Sequence, residues 1–330
     1  MLSHALRHSL LAFVLAFAGL SGASAAEKLK IVASFSILGD MTQTIGGDRI
    51  DLVTLVGPNG DAHVYEPSPQ DARAVAAADV LIVNGLAFEG WMPRLIEASG
   101  FKGRLVTATE GLTPLPFEDE DEDEHAHDEH DDHDAHAEHD EHEGAGEHGH
   151  HHHGAFDPHA WQSLENGRIY VENITRALVD ADPAGAETYK ANAATYLAQI
   201  AAMDADLKAR FAALAPERRR VVTSHDAFGY FAAAYGLTFV APQGVATDAE
   251  ASARDVATLI DQIRDEKITA VFVENVTDTR LIERIASETG AKVGGTLYSD
   301  ALSDASGPAP TYLKMFEHNS SQLLAAMAGS

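Results

Sequence analysis

Residues 182–214 read DPAGAETYKANAATYLAQIAAMDADLKARFAAL, a stretch dense in Ala and Leu with no glycine after Gly185. Asp182 is a natural N-cap and Pro183 suits the first helical position. The residues that follow favour helix over nearly their whole length. At about 1.5 Å per residue this predicts a rod of roughly 40 to 45 Å. Such a rod holds whatever lies at its two ends at a fixed separation, as a flexible linker does not.

Each flank of the rod carries the same kind of pattern. Before it, LKIVASFSI, IDLVTLVG, DVLIVNG and RLVTAT are short β-branched or apolar runs, separated by helical stretches such as SPQDARAVAAA and WMPRLIEASG. After it, RRVVTSH, LTFVAPQ, AVFVEN and AKVGGTLY alternate with ARDVATLIDQIRDE and DTRLIERIASETG. Strand–helix alternation predicts parallel sheets with crossover helices. The expected fold is therefore α/β, two Rossmann-like lobes with parallel sheets joined by one long rigid helix. The expected divisions are a signal peptide over 1–25, a first lobe over 26–181, the linking helix over 182–214 and a second lobe over 215–330. No GxGxxG or GxxxxGK[ST] spacing accompanies the strands, so nucleotide binding has no positive support.

The leader has Arg7, an apolar core from Leu10 to Leu20 and the small-residue run SGASAAE. That order predicts a secretory signal cut after Ala25, and hence an exported, periplasmic protein. The chain contains no cysteine, which excludes disulfides and a lipidated amino-terminal cysteine. A formal net charge of −28 is concentrated in residues 118–147, which hold 17 acids and no Lys or Arg. Setting these aside leaves about −11, a balance that argues against nucleic acid as a partner.

The same acidic segment holds most of the histidines. His125, His127, His130, His133, His136, His139, His142, His148, His150, His151, His152 and His153 lie within it. With hardly any large apolar residues over about 118–154, the segment is expected to be a disordered insertion in the first lobe. It reads as a weak, accessory collector of metal, since ordering on binding lowers affinity relative to a preformed cleft.

Four histidines of the mature chain lie outside it. His63 stands in GDAHVYEPSPQD after the second predicted strand, His159 in FDPHAW, and His225 at the end of RRVVTSH. Asp300, in LYSDAL, ends another predicted strand. In parallel sheets ligands gather beyond the carboxyl ends of strands. Each of the four has an ordinary reading as well: a surface-loop histidine, a chance neighbour of the capping Asp157, a helix cap. Together, three imidazoles and one carboxylate form a donor set suited to Zn²⁺. Mn²⁺ is expected to prefer more oxygen. His318, in YLKMFEHNSSQLL, is expected to be a surface or cap residue, and Arg218, Arg219 and Arg220 a solvated edge.

The motifs GDAHVYEPSPQD, FDPHAW, TSHDAFGYFAAAYGL, YKANAATYLAQIAAMDADL and LYSDAL occur in the order found in the metal-binding cluster A-I substrate-binding proteins. The chain resembles that family over essentially its whole mature length. The resemblance implies capture of zinc or manganese for an ABC transporter, with ligands at His63, His159, His225 and Asp300. It implies zinc in particular, because manganese members often carry glutamate at the third position. It also implies two pseudo-symmetric lobes, a membrane permease as partner and a monomeric protein, with a periplasmic zinc chaperone as a further possible partner. Asp157, Glu66 and Glu250 are candidate supports for the ligands. The chain departs from the family in lacking the disulfide of some zinc members and in reading DAEASARD around Glu250. A zinc buffer without a transporter is an alternative function. A zinc hydrolase is disfavoured because no HExxH is present and four protein ligands leave no position for water.

Overall fold

The computed structural model describes residues 27–117 and 156–328. The expected signal peptide and the expected disordered insertion, with its twelve histidines, lie outside the described residues.

In the first lobe β1 (Leu29–Phe35) pairs in parallel with β2 (Ile50–Val56) on one side and β3 (Val80–Val83) on the other. β4 (Arg104–Thr107) continues the sheet beyond β3, giving the order β2-β1-β3-β4. The second lobe repeats this order as β6-β5-β7-β8. Its strands are β5 (Arg220–Val222), β6 (Thr238–Val240), β7 (Ala270–Glu274) and β8 (Lys292–Leu297). The central strands β3, VLIV, and β7, AVFVE, are buried at every residue. That is why they read as unbroken apolar runs and not as alternating ones. In each sheet the chain leaves its first strand toward opposite edges, which opens a crevice at the carboxyl ends of β1 and β3, and of β5 and β7.

Helices α1 (Ser36–Gly46), α2 (Pro69–Ala77), α3 (Met92–Ser99) and α4 (Leu164–Ala181) belong to the first lobe. After the linking helix α5 (Ala186–Ala212) come α6 (Gly229–Tyr235), α7 (Ala253–Glu266), α8 (Thr279–Thr289) and α9 (Tyr312–Ala328). The expected rod is α5, Ala186–Ala212, 27 residues long. It starts later than Asp182 because Pro183–Gly185 winds as a tighter 3-10 turn. Asp182 caps that turn by accepting the Gly185 N–H at 3.2 Å, and holds Arg49 at 2.7 Å. A side chain on Gly185 would run into Arg49, Asp182 and Tyr189.

The rod packs on α1 and α4 of the first lobe and on α6 and α9 of the second. One continuous core runs from β1 and β3 through Tyr196 and Ile200 to Phe231 and Phe316. A second, smaller core between the far face of the β5–β8 sheet and helices α7 and α8 includes Leu259, Ile263, Val271 and Ile285. In the arginine run expected at a solvated edge, Arg218 and Arg220 are exposed, Arg220 pairs with Glu266, and Arg218 and Arg219 also cap helices. Arg219 donates to the carbonyls of Ala212 and Leu214 where α5 ends, and Arg218 to that of Ala328 where α9 ends. Cations there complement the unpaired carbonyls and the helix dipole.

α4 and α9 approach each other at Gly167, where an added Cβ would lie 2.5 Å from the Tyr312 hydroxyl. That hydroxyl is fixed, donating to the Trp161 carbonyl at 2.6 Å. Gly167→Ala is expected to lower stability by about 1 to 2 kcal/mol, overpacking outweighing the gain in helix propensity. Calorimetric unfolding of the variant would show this as a lower Tm.

Candidate metal centre

His63 lies on the loop that follows β2, held from several sides. The Trp91 indole donates to the Ala62 carbonyl at 2.8 Å. Asp61 Oδ1 accepts the His63 N–H at 2.9 Å. Where the loop enters α2, Ser68 and Asp71 form a capping box, and Asp71 also accepts the Tyr65 hydroxyl at 2.9 Å. The edge of Phe88 meets the imidazole with ring centres 4.7 Å apart.

His159 precedes a short 3-10 turn, Ala160–Gln162, that leads into α4. Asp157 Oδ1 lies 2.7 Å from His159 Nδ1 and accepts its backbone N–H at 2.9 Å. This carboxylate fixes the ring with Nε2 facing the cluster, the support expected of Asp157. Trp161 and Gln162 then donate across the lobes to the carbonyl of Ser299, at 2.9 and 2.7 Å, one residue before Asp300.

In the second lobe His225 and Asp300 each sit three residues beyond a strand, β5 and β8 respectively, not at the strand ends themselves. His225 Nδ1 stands 2.7 Å from Glu274 Oε2, as an ionic contact and not an aligned hydrogen bond. Glu274 Oε1 accepts the backbone N–H groups of Ser224 and His225 at 2.8 and 2.9 Å. Glu274 was not among the candidate residues. Its only signal is an acid closing an otherwise apolar strand, and it is buried at 1% exposure.

The structure brings all four sequence candidates to one point. Ligand atoms of His63, His159, His225 and Asp300 all lie within 4.8 Å of one another. Asp300 Oδ2 is 3.1 Å from His225 Nε2 and 3.3 Å from His63 Nε2, and the Nε2 atoms of His63 and His159 are 3.4 Å apart. The side chains of His159, His225 and Asp300 are fully buried, while that of His63 keeps 6% exposure. A cavity of ≈ 810 Å³ opens beside His63, lined among others by Tyr65, Trp91 and Val245.

The other candidate supports lie elsewhere. Glu66 is exposed on the wall of that cavity, and Glu250 is exposed with Arg280 within its field. Neither is hydrogen-bonded to the four among the described residues, because each leaves its loop toward solvent. His318 is bonded to the Thr296 carbonyl at 2.9 Å, away from the cluster.

Burial disfavours the charged form of His225, but the carboxylates of Glu274 and Asp300 outweigh it and hold its pKa well above the usual histidine range. Burial likewise opposes the charge on Asp300, and His225 and His159 hold it well below the usual carboxylate range. Asp300 Oδ1 is nevertheless buried with no hydrogen-bond partner among the described residues. A cation between the rings would satisfy that oxygen, so the donor set fits a metal ion.

Two α/β lobes on a rigid helix, with a buried cluster of three imidazoles and a carboxylate between them, define a metal-binding substrate-binding protein of the kind that serves ABC transporters. The chain matches the family described as ZnuA, zinc-uptake complex component A periplasmic, over residues 31–326, and it belongs to that family. It is 35% identical over 291 residues to the iron-binding protein YfeA of Yersinia pestis, covering 88% of this chain and 83% of the relative. The Mn-bound periplasmic metal binding protein from Candidatus Liberibacter asiaticus has the same fold, with TM-score 0.74 and 30% identity over 91% of this chain and 100% of that one. The periplasmic zinc binding protein TroA from Treponema pallidum aligns with TM-score 0.77 and 26% identity, over 91% of this chain and 99% of the other. The chain is thus a substrate-binding protein for a transition metal ion, working with an ABC permease, and not an enzyme.

Because His225 is held protonated by its carboxylate neighbours, a metal taking its Nε2 displaces a proton. Uptake at pH 7 should release about one proton, and affinity should fall roughly tenfold per unit as pH drops from 8 to 6. Calorimetry in buffers of differing ionisation enthalpy measures the release. Glu274→Gln, which removes one of the two carboxylates, should shrink the release at pH 8; an unchanged value would contradict this account of His225.

Proposed function

We propose that this protein captures Zn²⁺ in the periplasm with His63, His159, His225 and Asp300 and hands it to the membrane permease of a zinc ABC transporter. The observation that carries the reading is the convergence of three imidazoles and one carboxylate within 4.8 Å in a buried crevice between the lobes. Zinc is a natural occupant of a compact set of three nitrogens and one carboxylate. Hard, oxygen-seeking cations are served less well by it. The carboxylates of Asp157 and Glu274 stand behind His159 and His225 and orient those rings, the usual outer support of a zinc–histidine bond. Similar proteins named for iron, manganese and zinc show that the fold accommodates several metals, so the donor set is the basis for preferring zinc.

Release requires at least one ligand to withdraw. His63 alone of the four keeps exposed surface and borders a cavity, which makes its side of the crevice the route in and out. The helix α5, packed against both lobes, favours a small rearrangement over a wide hinge motion.

His63→Ala is expected to weaken zinc binding roughly a hundredfold or more, whereas removal of residues 118–153 leaves the tight site intact. Competition titration against a chelator of known affinity measures both. In cells, a strain lacking the protein should fail to grow when zinc is chelated and recover with added zinc. Recovery with manganese or iron alone would reassign the cargo.

A further inference from the structure

The loop that carries His63 is tied to the opposite lobe at Asn59 and Asp61, both just before Ala62. Asn59, in the left-handed region at φ 56°, donates its N–H to the Leu302 carbonyl at 2.9 Å, just beyond Asp300. Asp61 shares its carboxylate between two partners. Oδ1 accepts the His63 N–H at 2.9 Å, and Oδ2 accepts the hydroxyl of Thr247 at 2.6 Å. Thr247 comes from the connection between β6 and α7 in the second lobe, 186 residues away.

We infer that Thr247 is a positioning residue for His63, acting across the crevice through the Asp61 carboxylate to set how fast the metal leaves. The inference rests on the proposed ligand set. The four ligands are not equally anchored. His159 is followed by the fully buried Trp161, whereas His63 is followed by Val64, 49% exposed. The His63 loop is therefore the segment able to withdraw while the core stays packed. A short hydrogen bond from a hydroxyl to a carboxylate is among the stronger neutral-to-charged contacts. Here its loss frees the group that orients the His63 backbone. Breaking it needs motion of one loop against another, with no separation of the lobes.

The test is zinc release from the whole, metal-loaded protein, followed by stopped flow into an excess of a fluorescent chelator. Thr247→Val, which keeps the shape and removes the donor, should speed release about tenfold, and Thr247→Ser should restore the parent rate. In a His63→Ala background the Thr247→Val change should have less than a twofold effect, since the group it acts through is gone. Equal acceleration in both backgrounds would overturn the inference, because the hydroxyl would then be bracing the lobes generally. A parent-like rate for Thr247→Val in a chain whose affinity still depends on His63 would also overturn it, and leave the ligand set standing. If His63→Ala binds zinc as tightly as the parent, the ligand set fails and the inference fails with it. Thr247→Ala provides a second donor-free variant should the valine disturb the loop.

Discussion

A fully buried carboxylate, Asp300, dictates how the two lobes meet. Taking an ionised group out of water costs on the order of several kcal/mol unless partners replace the hydration it loses. Here the replacement is supplied from both lobes, by His225 on its own side and by His63 and His159 from the other. The carboxylate is therefore stable only where the lobes are apposed. Each further charge extends the same logic outward. Glu274 balances His225 and its other oxygen is taken up by two backbone N–H groups, while Asp157 accepts the backbone N–H of His159 and holds its ring at Nδ1. Alternating signs from the centre outward make a concentrated buried charge tolerable and leave one acceptor, Oδ1 of Asp300, for a cation.

Such an arrangement demands precise spacing between elements far apart in the chain, and the scaffold provides it without covalent cross-links. No cysteine is present, so the second lobe relies on packing. α5 shares one continuous core with both lobes, and its carbonyl end is capped by Arg219. Cross-lobe hydrogen bonds at Ser299, Leu302 and Tyr312 then fix the register near the cluster. A crevice built this way has little freedom to open as a whole. Of the four ligands only His63 keeps exposed side-chain surface, at the rim of that crevice.

Much of this was legible in the sequence, for a physical reason. Strands buried on both faces appear as uninterrupted apolar runs, so VLIV and AVFVE announce themselves. A long helix without glycine is equally visible. His63, His225 and Asp300 were legible as polar residues following predicted strands, and His159 from its place in FDPHAW. What sequence order could not show was partnership across the fold. Glu274 ends its strand like any solvent-facing acid, and only the placement of β7 between β5 and β8 buries it beneath His225. Glu66 and Glu250 were the acids expected in that role, but both are exposed on their loops. Thr247 and Asp61 carry no local signal of each other. The late start of α5 reflects a different limit, since Asp182 and Pro183 mark a helical start equally well whether the first turn is α or 3-10.

The buried charges also bear on how one scaffold can serve different metals. Relatives named for iron, manganese and zinc share this architecture, so the lobes and the helix cannot be the source of selectivity. Selectivity must lie in the donors and in what stands behind them. Replacing His225 by a carboxylate would set a second buried negative charge beside Asp300, with Glu274 close behind. Three carboxylates in that space would repel one another unless a cation with higher demand for oxygen drew them in. The imidazole at this position, set against Glu274, thus leaves Asp300 as the one carboxylate among the four donors.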